Sequence, residues 1–162
     1  MIATSQTLTR RFTMDITHRL AWLAGLVDGE GCVYITNSAS GVYTLVLSIQ
    51  MTDFSAINEI KEIVGIGRIS QCSLKTKGGR TMWKWTAFSK AAGEVITQIL
   101  PYLVTKKEQA QVGLQFLSLG KGNRWHPPSE EMRNEKKRLF LILRSLKEGP
   151  NGRKKGTIHE NC

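Results

Sequence analysis

The chain has 162 residues, 41% of them hydrophobic, and its 23 Lys and Arg against 13 Asp and Glu give a formal net charge of +10. That length suits one domain with a core of its own, and that charge calls for a polyanionic partner, nucleic acid ahead of an anionic membrane surface. The longest apolar run, Leu20 to Val27, falls far short of the roughly 20 residues that span a bilayer, and Cys32, Cys72 and Cys162, widely separated and without a Cys-x-x-Cys pair, suggest neither a disulfide framework nor a zinc site.

Residues 1–14 hold Arg10 and Arg11 and no acid, a weak likeness to an organellar transit peptide, and are expected to form a flexible arm. A first helix is predicted from an N-cap at Asp15 or Thr17 to about Asp28, because Leu20, Leu23, Ala24 and Val27 recur at helical spacing. Ala21, Ala24, Gly25 and Asp28 form a second stripe, of small side chains, that lets another backbone approach; with one such helix in the chain, its natural partner is a second copy. The helix runs into Asp28-Gly29-Glu30-Gly31, where glycines can stop it. Carboxylates at a helix C-terminus are disfavoured unless a cation compensates them, and a hard divalent ion would do so. Taken alone, Asp28-Gly29 also reads as a polar turn.

From Cys32 the period changes to two. Val33 and Ile35 face one way and Tyr34, Thr36 and Ser38 the other; after a turn at Ser38-Ala39-Ser40-Gly41, Leu45, Leu47, Ile49 and Met51 alternate with Thr44, Val46, Ser48 and Gln50. Asp53 can cap a second helix to about Val64, ended by Gly65. A second hairpin follows, Arg68 to Leu74 and Thr81 to Phe88, with Ile69, Trp83 and Trp85 inward, Arg68, Ser70, Cys72, Met82, Lys84 and Thr86 outward, and the basic loop Lys75 to Arg80 between. Helices are predicted over Ser89–Leu100, Thr105–Leu119 and Ser129–Lys147, the last with a capping-box-like start. The pattern gives an α+β chain ordered helix, two strands, helix, two strands, helices. Its expected organisation is a core over residues 15–120, a C-terminal helical extension over 121–148 and a disordered basic tail over 149–162.

The stretch Leu23-Ala24-Gly25-Leu26-Val27-Asp28-Gly29-Glu30-Gly31 resembles the signature of the LAGLIDADG homing endonucleases, with Val27, Gly29 and Glu30 in place of Ile, Ala and Asp. The resemblance extends over roughly residues 17–120. It implies a mixed αββαββα core whose four antiparallel strands form a saddle over DNA, and it places the metal-binding carboxylate on Glu30, with the Gly29 carbonyl as a further ligand. Ile49 to Asp53 is similar to the family's strand-end segment, which puts a catalytic polar residue at Asp53, a position that serves equally well as a helix N-cap. Leu100 to Ala110 is similar to a second block of the family, in which the first lysine approaches the active site. That role falls on Lys106, with Lys107 its solvated neighbour.

Phosphodiester hydrolysis needs an activated water and neutralised charge, tasks that divalent ions share. The expected protein is therefore a homodimeric, site-specific double-strand DNA endonuclease using Mg²⁺ or Mn²⁺, its dimer contact made by Ala21, Ala24, Gly25 and Asp28, its double-stranded DNA target long and pseudo-palindromic. A two-stranded ribbon fits the major groove, so Tyr34, Thr36, Ser38, Thr44, Ser48, Gln50, Arg68, Ser70, Lys84 and Thr86 are candidate readers, though any sheet in water displays such a face. Lys75, Lys77 and Arg80 suit phosphate contacts. An intron RNA maturase, or a DNA-binding protein that does not cut, could use the same scaffold; the family's habit points to an intracellular setting, organellar or microbial.

Overall fold

Alternation in the strand segments builds a sheet with one apolar and one largely polar face, and the helices pack on the apolar side. The computed structural model describes residues 15–73, 81–120 and 128–148. The order is α1 (Ile16–Glu30), β1 (Gly31–Asn37), β2 (Tyr43–Met51), α2 (Phe54–Val64), β3 (Arg68–Ser73), β4 (Thr81–Phe88), α3 (Ser89–Ile99), a 3-10 turn at Leu100–Tyr102, α4 (Lys107–Ser118) and α5 (Glu130–Glu148). The strands form one antiparallel sheet in the order β1-β2-β4-β3. The expected residues 1–14 arm, the 149–162 tail and the loop carrying Lys75, Lys77 and Arg80 lie outside the described residues.

The register decides which residues share a face. Val33 pairs with Leu47, Ile49 with Trp85 and Ile69 with Trp85, and this side carries the core: Val33, Leu45, Leu47, Ile49 and Trp85 are fully buried beneath α1, α2 and α3. Each such aliphatic side chain contributes roughly 1.5–3 kcal/mol on burial. On the other side Tyr34 pairs with Val46, Ser48 with Thr86, Gln50 with Lys84, Lys84 with Ser70 and Thr86 with Arg68. The register keeps the expected inward and outward sets on opposite faces, but the outward set is not all open: Val46 is fully buried, and Cys72, Ser48 and Thr86 are also buried.

Helix boundaries differ from the periodicity in one place that matters. Helix α1 does not stop at Asp28 but continues through Gly29 to Glu30, and Gly31 begins β1 directly. Gly31 is extended (φ −77°, ψ 160°) and its N–H donates to the Val27 carbonyl; a Cβ there would stand 2.6 Å from that oxygen. Glycine is required at this junction because helix and strand meet without a loop. Helix α5 starts as expected, with Ser129 Oγ accepting from the Met132 N–H at 3.2 Å. Among the described residues, no helix is long and apolar enough to cross a membrane.

Candidate active site

Helix α1 delivers the acidic end of the motif to the start of the sheet. Leu23, Ala24 and Val27 are fully buried against the core, and Arg19 pairs with Glu59 of α2 at 2.7 Å. Asp28, on the same turn as Ala24, meets the segment that leads into α4. Its carboxylate accepts from the Val104 N–H (2.8 Å), the Thr105 hydroxyl (3.0 Å) and the Lys106 N–H (2.9 Å). Burial, the largest influence on this carboxyl, pushes its pKa up, but the bonds from Val104, Lys106 and Thr105 together hold it below the ordinary value. The Lys106 ammonium returns the contact by donating to the Asp28 main-chain oxygen.

Thus the motif and the second block, 76 to 78 residues apart in sequence, meet at one point. Lys106 is the N-cap residue of α4 and lies beside the acidic end of α1. Glu30, two positions beyond Asp28, is exposed and has no hydrogen-bond or ion-pair partner among the described residues. As the last residue of α1 it immediately precedes Gly31, the first residue of β1, which pairs with Ile49. An exposed, unpartnered carboxylate beside the carbonyls that end a helix suits a hard divalent ion, which keeps several waters and needs only one or two carboxylates. Among the described residues no three His, Cys, Asp or Glu side chains converge to hold a metal, so one chain offers such an ion a partial ligand set.

Asp53 caps α2. One oxygen accepts from the Ser55 N–H (2.8 Å), the Ser55 hydroxyl (2.6 Å) and the Ala56 N–H (3.3 Å), and these bonds, led by the hydroxyl, lower its pKa. Because the folded pKa is depressed, this cap contributes stability above the unfolded carboxylate pKa and loses it as pH falls through the folded one. Asp53→Ala is expected to lower the melting temperature at pH 7, with the difference from wild type shrinking in acid; an unchanged melting temperature at both pH values would show that the cap contributes nothing.

Of the small-residue stripe, Ala24 is fully buried in the chain's own core and Asp28 is bound to residues 104–106, whereas Ala21 and Gly25 are exposed. The open strip of α1 runs through Ala21, Gly25 and Gly29 beside Trp22, one position round from the expected one; an ideal Cβ at Gly25 or Gly29 would meet nothing within 4 Å. On the polar sheet face Arg68 and Ser70 are exposed and Tyr34, Thr36, Thr44, Gln50 and Lys84 half-buried, while Ser48 and Thr86 retain only 6% and 9% of their exposure. Ser38 lies in the β1–β2 turn, where its hydroxyl accepts from the Val42 N–H. The Lys147 ammonium of α5 stands 5.1 Å from the Tyr34 ring centre, a contact that no local pattern announces. A separate cleft of about 660 Å³ lies among α3, α4 and α5 and includes no residue of the motif or of the polar sheet face.

A family model described as LAGLIDADG endonuclease matches residues 23–115, more than half of the chain and the span that joins the motif to Lys106. The chain belongs to the LAGLIDADG endonuclease family. It carries the single-motif form, with the motif on α1. Its fold is similar to that of the homing endonuclease I-CvuI in complex with its target in the presence of Ca (23% identity, TM-score 0.65, 83% of this chain and 85% of that one). It is likewise similar to the archaeal intron-encoded homing endonuclease I-Vdi141I complexed with DNA (15%, TM-score 0.65, 91% of each chain) and to the homing endonuclease I-TnaI (16%, TM-score 0.59, 80% and 93%). At these identities the likeness establishes the shared LAGLIDADG architecture.

Proposed function

We propose that the chain is a homing endonuclease that recognises a long, pseudo-palindromic duplex as a homodimer and hydrolyses a phosphodiester in each strand with a divalent ion, Mg²⁺ or Mn²⁺. The observation that carries this reading is Glu30, exposed and without a partner among the described residues, two positions past the Asp28 whose main-chain oxygen accepts from the Lys106 ammonium, in a LAGLIDADG chain. Similar structures hold DNA, and complexes of I-CvuI were obtained with Ca and with Mg.

Two features support dimerisation. Among the described residues nothing comes within 4 Å of a Cβ placed at Gly25 or Gly29, and a second copy seated on the Ala21, Gly25 and Gly29 strip would give them a steric role. It also brings a second Glu30 to the first, supplementing the partial ligand set of one protomer. Glu30 and the Gly29 carbonyl hold the ion in this reading. When bound, the ion activates water and offsets charge that develops on the phosphate. Lys106 adds a fixed cation beside that charge, Asp53 anchors the strand-end segment, and the core over residues 15–120 carries the chemistry while α5 extends the surface. Gln50, Lys84, Arg68 and Ser70, with Tyr34, Thr36 and Thr44, read base edges; Lys75, Lys77 and Arg80 contact phosphates.

Purified protein incubated with a randomised duplex library and Mg²⁺ is expected to yield cut ends that share a two-fold symmetric consensus, and light scattering the mass of a dimer. Lys106→Met is expected to slow cutting of the selected duplex by about 10²–10³-fold, the loss of one positioned electrostatic stabiliser. An uncut library would overturn the nuclease assignment, and a monomer on the duplex would overturn the shared site.

A further inference from the structure

We propose that Asp28 is a positioning residue for Lys106: its carboxylate gathers residues 104–106 into a fixed turn and thereby sets where the lysine ammonium stands beside the end of α1. The proposal rests on the nuclease reading above and concerns the same site.

Both carboxylate oxygens are engaged, Oδ2 by the Val104 N–H at 2.8 Å and Oδ1 by the Thr105 hydroxyl at 3.0 Å and the Lys106 N–H at 2.9 Å. Three consecutive residues are thus tied to one side chain that is 76 to 78 positions away in sequence. Little else holds this segment: Val104 is 80% exposed and Thr105 exposed, and the flanking buried anchors are Leu103 and Ala110. The two helix ends are also crossed electrostatically. An acid from the C-terminus of α1 sits at the positive start of α4, and a cation from the start of α4 sits at the negative end of α1, each the favourable sign for its place. Lys106 is a long, flexible side chain with a strongly hydrated head, so anchoring its backbone to the turn that precedes Glu30 is what confines it. A bare stability role would leave the cutting step alone; a positioning role makes Asp28 matter only through Lys106.

Single-turnover cutting of the duplex selected from the library, with duplex affinity measured separately in EDTA, separates the two. Asp28→Asn is expected to slow cutting by about 10–100-fold with the Kd changed by less than about threefold, and to slow it further by less than about threefold when Lys106→Met is already present, the non-additivity of groups that act as a unit. Thr105→Val removes one donor from an exposed position and is expected to act in the same direction, by about 3–10-fold, again only when Lys106 is intact. Equal losses on both backgrounds, or a loss confined to Kd, would overturn the positioning role while leaving the nuclease reading in place. A wild-type protein that cuts nothing in the library would overturn both.

Discussion

Glu30→Gln is expected to reduce the rate of duplex cutting by about a thousandfold or more, the rate equivalent of the several kcal/mol that a bound ion contributes to an anionic transition state. The substitution keeps shape and removes charge, and Glu30 is exposed with no partner among the described residues, so secondary structure and duplex affinity in EDTA should be preserved. The stability readout has its own sign. In the proposed dimer two apposed Glu30 carboxylates would repel when no ion is present, so in EDTA the variant should melt at the wild-type temperature or above it, whereas added Mg²⁺ should raise the melting temperature of wild type alone. Cutting that survives the substitution would remove Glu30 from the chemistry, and an equal Mg²⁺ response in both proteins would remove it from ion binding.

The largest expected loss of stability lies under β4. Trp85 is fully buried at the centre of the sheet, and its indole N–H donates to the Ile66 carbonyl at 3.1 Å. Above the ring passes Gly67, at φ 87°, where a Cβ would stand 2.4 Å from Trp85 Nε1. Trp85→Ala should cost about 3–5 kcal/mol from lost burial and a residual cavity, a large share of the roughly 5–15 kcal/mol that holds a domain folded. Gly67→Ala attacks the same contact from the other side and adds the strain of a left-handed alanine, on the order of 1–2 kcal/mol before the clash with the ring is counted. Chemical denaturation of the two variants checks both. A cost below about 1 kcal/mol for Gly67→Ala would mean that the α2–β3 turn yields, and that the indole is not clamped.

The polar and apolar faces of the sheet were legible because a period of two leaves no freedom once one side is buried: Ile69, Trp83 and Trp85 could not all turn outward. The candidate residues on the motif came from its resemblance to the family signature. What sequence could not supply was distance. Asp28 read as part of a small-residue stripe because Ala21, Ala24, Gly25 and Asp28 do share helical spacing, yet the core claims Ala24, and residues 104–106 claim Asp28. The signal that points there is the start of α4 at Lys106, where N–H groups not yet bonded within the helix need an acceptor; nothing local says that the acceptor comes from α1. The end of α1, expected at about Asp28, falls at Glu30: of the two glycines that could stop the helix, Gly31 is the one whose missing side chain the backbone requires.

The two faces of the sheet place two demands on separate sets of positions. Under the proposed reading, exchanging Arg68, Ser70, Gln50 or Lys84 leaves Leu47, Ile49 and Trp85 untouched behind them, so base preference can be rewritten strand by strand without risking collapse. The freedom is greatest at the rim and least at the middle, where Val46, Ser48 and Thr86 are already closed in. Directed retargeting should therefore succeed first with substitutions along β3 and meet resistance at the centre of β2.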